Sequence, residues 1–209
     1  MAAKEYASNV FVNCPFDEGY KETFDAVVFA VFSCGLRARC SKEGQDSGEV
    51  RMHKILRIIS ECKYGIHDIS RTELCKRNKL PRFNMPLELG IFLGAGNYGT
   101  SDQRTKICLI MDKEEYRFQK FMSDIAGQDI KQHAGKPENA IRLVTDWLRN
   151  VTGRNAIVGG LAVVERYKMF RKDLPKMRKA RKLKQEELGF NDYANLVSAW
   201  IKEKWIGAN

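Results

Sequence analysis

The sequence predicts a doubly wound α/β domain built on a five-stranded parallel sheet, followed by a helical extension. Three observations carry that expectation. Short β-branched or aromatic runs alternate with helical patterns about five times over residues 1–152, the order that builds a parallel sheet through helical crossovers. The run KICLIM at 106–111 has the composition of a buried strand. From Gly153 onward only helical periodicity is left, which divides the chain into an α/β domain over 1–152 and an extension over 153–209.

Taken in order, the first strand is NVFVNC at 9–14, stopped by Pro15, which has no N–H to give a ladder. PFDEGY is loop chemistry. The helix at 21–34 is apolar almost without break from Phe24 to Phe32. Such a helix must be covered on most sides, and Gly35 suits its C-terminal cap. Residues 36–40 read as a second strand, and the polar stretch SKEGQDSGE leads to a helix. Val50, Ile55, Leu56, Ile58 and Ile59 mark the inner face of that helix. The third strand, 64–69, carries Asp68 near its end. A basic loop, RTELCKRNKLPR, precedes FNMPLELGIFLGAG, where Asn84 is placed to cap a helix and Pro86 to sit in its first turn. Two helices follow KICLIM, the second over 137–151, with 129–133 between them as a short fifth strand. The whole is a flavodoxin-like arrangement.

In the extension, Leu161, Val164, Tyr167, Phe170 and Leu174 fall near helical spacing until Pro175 interrupts. A last helix, capped by Asn191, carries Tyr193, Leu196, Val197, Trp200, Ile201 and Trp205 along one stripe. This extension also explains the chain's charge. Lys plus Arg is 36 against 26 Asp plus Glu, a net +10, and residues 153–209 contribute 13 basic and 6 acidic side chains, or +7. The segment 166–184 alone has ten basic residues and one acid. Nucleic acid would suit that charge, but the interleaved Met169, Phe170, Leu174, Met177 and Leu183 favour a packed helix with a solvated basic face.

Other classes are excluded. No apolar run approaches the ~20 residues of a membrane span. MAAKEYASN is too polar for a secretory leader, so the six cysteines are expected as reduced thiols in a cytoplasm. None are spaced C-x-x-C, and His53, His67 and His133 are not clustered with them, so no metal site is expected.

A doubly wound sheet binds ligands outside the carboxyl ends of its strands, at a topological switch point. The sequence places 13–18, 68–71 and 84–88 there. Within FNMPLELG, Glu88 lies about one turn into an otherwise apolar helix. Two readings stand: a carboxylate capping the positive helix end, or one with a raised pKa that faces a ligand. Single residues carry similar alternatives. Asp68 at a strand end suits loop amides, His67 suits a sheet interior, and Cys14 suits a small buried hydrophobe. A phosphoacceptor reading of Asp68 requires acidic residues after the first strand, where Asn13 and Cys14 stand.

The order strand, P-F-D-E-x-Y, helix, strand ending D-I-S, then N-M-P-L-E-L-G resembles the TIR-like and nucleoside 2-deoxyribosyltransferase-like superfamily over residues 9 to about 150. The resemblance implies cleavage of an N-glycosidic bond, with NAD or a related nucleotide as substrate and no cofactor. Glu88 matches the glutamate that attacks the anomeric carbon in the transferases or holds ribose hydroxyls in the TIR enzymes. By the same resemblance Asp68 is a second acidic group. Asn13 and Ser70 bind hydroxyls, Arg51 and Arg71 pair with phosphates, Phe16 covers the base, and Asp17 and Asn84 complete the binding set. A homo-oligomer and a role in bacterial antiphage defence or signalling are also implied. The chain departs from the pattern in having no Trp before Trp147 and in carrying Pro15-Phe16-Asp17-Glu18 where transferases show G-G. Those departures leave a deoxyribosyltransferase or hydrolase, and a nucleotide sensor without catalysis, as alternatives.

Overall fold

The computed structural model describes residues 3–44, 46–72 and 82–206. After a single helical turn, α1 (Ala3–Tyr6), five parallel strands form one sheet: β1 (Asn9–Asn13), β2 (Arg37–Arg39), β3 (Tyr64–Asp68), β4 (Ile107–Asp112) and β5 (Lys131–Gln132). Their order is β2-β1-β3-β4-β5, the flavodoxin-like α/β arrangement. The longer helices are α2 (Lys21–Ser33), α3 (Arg51–Ser60), α4 (Asn84–Tyr98), α5 (Pro137–Thr152), α6 (Gly160–Ala180) and α7 (Phe190–Ile201).

Alternation along β1 sorts the two faces. Val10 and Val12 point into a core shared with α2, α5, α6 and α7, while Phe11 packs with Ile55, Ile58, Ile59 and Phe92 of α3 and α4. The first face carries an extra layer. Every residue of α2 from Thr23 to Val31 is buried, because the sheet lies on one side and α6 and α7 on the other. Phe29 stacks on Phe170 with ring centroids 5.2 Å apart, and Tyr193 donates to the Asp25 carbonyl at 3.0 Å. Trp200 Nε1 donates to Asp173 across 2.8 Å, tying α7 to α6. The extension is therefore continuous with the α/β core.

Several local expectations are corrected. The β4–β5 crossover contains two short 3₁₀ turns, Arg117–Lys120 and Ser123–Ile125, in place of a helix. Tyr116 there takes a left-handed conformation, φ 55°, which an α-helix cannot accommodate. Helix α6 runs through Pro175; Pro175 and Arg171, whose carbonyl loses the bond, are both exposed, so water can replace the missing N–H. Asn191 is inside α7, and Gly189 takes its cap position. On α3, Val50 and Leu56 are exposed while Ile55, Ile58 and Ile59 form the inner face. Residues 73–81 of the basic loop, Cys75 among them, lie outside the described residues.

The five described cysteines are free thiols. Among the described residues no helix is long and apolar enough to cross a membrane, and no cluster of metal-binding side chains forms. Because α6 and α7 share the core of α2, Trp200→Ala is expected to cost about 3–5 kcal/mol in one cooperative urea transition. Two separated transitions would show instead that the extension folds independently.

Candidate functional site

The winding direction reverses between β1 and β3. The chain leaves β1 for α2 on one face and leaves β3 for α4 on the other, so the switch-point crevice expected of such a sheet falls at the carboxyl ends of these neighbouring strands. Asn13 ends β1 beside His67 of β3.

The start of α4 is fixed from below. Phe83, not Asn84, takes the cap position, and no side chain caps the helix. Asn13 supplies the tether instead: its amide Nδ2 donates to the Met85 carbonyl at 2.8 Å and to His67 Nδ1 at 3.0 Å. Both amide protons are thus committed, and Asn13 positions the helix that carries Glu88. The His67 imidazole must hold its proton on Nε2, which is buried without a partner. Burial, then the charge of Lys106, pulls the His67 pKa down to about 3. Gly65 makes room for this packing, since a Cβ there would come within 2.7 Å of His67 Nε2 and 2.8 Å of Phe92.

One turn into α4, Glu88 is only 6% exposed. Among the described residues it makes no hydrogen bond and no ion pair. Burial raises its pKa to about 7, and the positive field of Arg51 opposes that rise. Arg51, the first residue of α3, is exposed and lies 3.3 Å from Ser41 Oγ. It has no carboxylate partner among the described residues. The structure therefore places Glu88 within the positive field of Arg51 but forms no ion pair between them, so the field offsets only part of the cost of burying the carboxylate. Of the two readings of Glu88, the capping carboxylate is the one set aside.

Asp68 is a different kind of carboxylate. It is fully buried. Its Oδ2 accepts from the Tyr20 hydroxyl and from His133 Nε2 at 2.9 Å, and its Oδ1 from the Ser70 N–H at 2.8 Å. The Gly135 N–H donates to His133 Nδ1 at 3.1 Å, which puts the His133 proton on Nε2, facing Asp68 and Ser70 Oγ at 3.0 Å. Ser70 therefore has no base to activate it. Asp68 and Ser70, expected to meet the ligand, are instead a closed brace joining β3, the entrance to α2 and the segment after β5.

Arg71, expected on a phosphate, bonds Asp17 at 2.8 Å, and its guanidinium occupies the space that a Cβ at Gly19 would need. Arg71 and Asp17 are thus engaged with each other. Phe16 is half-buried, edge-on to Phe24, with the Lys42 ammonium 4.8 Å from its ring centroid. Asn84 is exposed at the first position of α4. Cys14 is buried and its thiol pKa is raised well above the ordinary value, first by burial and then by Asp68 and other nearby charges.

Sequence reasoning missed Tyr20, Lys42 and His133. Tyr20 was visible as the last residue of the PFDEGY loop, and His133 as the residue ending the weak fifth strand. It also missed a second brace, in which Arg117 bonds Asp112 Oδ1 at 2.7 Å, Thr72 at 2.9 Å and the Ile69 carbonyl at 2.8 Å. No protein-family model, curated protein or solved structure matches the chain.

The raised Glu88 pKa has a thermodynamic sign. Stability from this group is fully present below its ordinary pKa of 4.5 and is lost as pH rises through about 7. At ~1.4 kcal/mol per pH unit this amounts to about 3 kcal/mol above pH 8. His67 acts in the opposite sense: its contribution is present above about 6.5 and is lost on acidification toward 3. Comparing Glu88→Gln with the parent isolates the first group. The variant is expected to melt several degrees higher at pH 8, with the gain vanishing below pH 5 in thermal melts.

Proposed function

We propose that this chain cleaves the N-glycosidic bond of NAD or a closely related nucleotide, by hydrolysis or cyclisation, with Glu88 as the catalytic carboxylate. The observation that carries the reading is the isolation of Glu88: buried at the switch-point crevice, unpartnered among the described residues, and held near pKa 7. A carboxylate held in no ion pair or hydrogen bond among the described residues is available to a cationic reacting centre. Cleavage breaks the bond between the anomeric carbon and the base nitrogen, and the departing base takes the bonding electron pair. The ribose carbon becomes oxocarbenium-like, and Glu88 stabilises that charge. Water then adds at the anomeric carbon and releases a proton, or a nucleophilic atom of the same molecule closes a ring.

The sequestered Asp68 favours a particular leaving group. A purine needs a proton in order to depart, and no second free acid stands beside Glu88 among the described residues. A pyridinium base such as nicotinamide leaves as a neutral molecule and needs none. Its positive charge also favours the ionised form of Glu88 on binding, while Arg51 is free to meet a phosphate with its forked guanidinium. This supports NAD over a purine nucleoside, and hydrolysis or cyclisation over deoxyribosyl transfer.

Following nicotinamide release from NAD tests the reading. Activity is expected to fall by about 10²-fold or more in Glu88→Gln. The kcat/KM of the parent is expected to rise through about pH 7 and level off above it, because the ionised form acts. A profile that falls through pH 7 would make Glu88 a proton donor and overturn this assignment. Thermal stabilisation by NAD without product would favour a nucleotide sensor.

A further inference from the structure

A recess near the carboxyl end of β1 draws part of its wall from the C-terminal extension. Its volume is about 450 Å³, and its lining includes Phe16 after β1, Lys42 after β2, Phe24 of α2, and Gln185, Leu188 and Phe190 at the turn between α6 and α7. Such a size suits a mononucleotide. The recess and the Glu88 helix meet the same segment after β1: Asn13 bonds the Met85 carbonyl of that helix at 2.8 Å, and Phe16, shortly beyond it in the chain, lines the recess.

The cations of the recess are not equivalent. Lys21 is held by Asp25 at 2.9 Å, and nearby Asp17 is held by Arg71 at 2.8 Å. Lys42 forms no ion pair among the described residues; its ammonium lies 4.8 Å and 5.9 Å from the ring centroids of Phe16 and Phe24. A cation on an aromatic platform without a carboxylate partner is preorganised for an external anion. Asp17 and Asp25, held by Arg71 and Lys21, line the recess together with Glu18 and Glu186. They oppose a polyanion but accept hydrogen bonds from the exocyclic amine of a base. One phosphate, one planar body and one amino group together describe a nucleoside monophosphate.

The geometry points to this recess as the seat of an adenylate group, with its phosphate on Lys42 and its base against the α6–α7 turn. The C-terminal helices then furnish one wall of the ligand site. This assignment rests on the proposed NAD reading and deepens it: the adenylate half of the dinucleotide occupies the recess while the nicotinamide riboside reaches Glu88.

The test uses the full chain, with AMP and adenosine as probes in isothermal titration calorimetry and NAD turnover measured in parallel. Lys42→Ala is expected to weaken AMP binding at least tenfold and leave adenosine unchanged. Leu188→Trp, which fills the recess from the extension side, is expected to weaken both probes at least tenfold. Lys172→Ala, on the outer surface of α6, is expected to change neither. Melting curves of all variants verify folding, and an unfolded Leu188→Trp is replaced by Gln185→Trp at the same turn. AMP affinity that is unchanged in the Lys42 and turn variants, or no AMP binding by the parent at millimolar concentration, overturns the assignment. NAD turnover without AMP binding rejects the recess alone. AMP binding lost as described, with no NAD turnover, keeps the recess and rejects the glycosidase reading.

Discussion

From Thr23 to Val31 helix α2 has no exposed side, and the architecture follows from that constraint. A helix buried continuously from Thr23 to Val31 needs apolar cover both beneath and above. The sheet provides the first, and α6 and α7 provide the second through Phe170, Tyr193 and Trp200. Each of these large aromatic side chains removes enough apolar surface from water to matter on the scale of a whole domain's stability. Because α2 begins at the carboxyl end of β1, covering it also carries the α6–α7 turn to the mouth of the sheet. A requirement of packing thereby brings the C-terminal residues beside the ligand crevice.

The carboxylates at that mouth divide into two kinds. Asp68 has donors on both oxygens, from Tyr20, His133 and the Ser70 amide, whereas Asp112 accepts from Arg117 and the Lys113 amide on Oδ1 alone and keeps Oδ2 buried without a hydrogen-bond partner. Such groups repay their desolvation through hydrogen bonds and hold loops in place. Glu88 lacks comparable partners. Its burial is a standing cost, in a protein whose total stability spans only roughly 5–15 kcal/mol. Unrelieved costs of this kind collect where a ligand completes the interaction. Asn13 links the two kinds, since its amide fixes the α4 turn from which Glu88 projects.

The sheet and most helices were legible because they depend on local patterns. The strands around Phe11, Ile66 and Leu109 are short β-branched or aromatic runs, and Glu88 stood out as a charge within apolar sequence. The continuous apolar run of α2 foretold that it must be covered. What sequence could not supply was partnership. Asp68 and Glu88 are both single acids at element ends, and only the fold brings His133, 65 positions from Asp68, within 2.9 Å of one and leaves the other alone. Arg71 and Arg51 differ in the same way, one engaged by Asp17 and the other free of carboxylates among the described residues. The caps expected at Asn84 and Asn191 fall inside the helices, which begin after Phe83 and Gly189 with no side-chain cap, because helix boundaries shift by a residue or two when tertiary packing sets them.

The central claim is that Glu88 is a buried carboxyl group held in no ion pair or hydrogen bond among the described residues. A carbon-13 NMR titration of its side-chain carboxyl, assigned by comparison with Glu88→Gln, measures this directly. The account predicts a midpoint near pH 7 in the free protein, moving downward when NAD is present. A midpoint at the ordinary glutamate value of 4.5, unchanged by NAD, would contradict it.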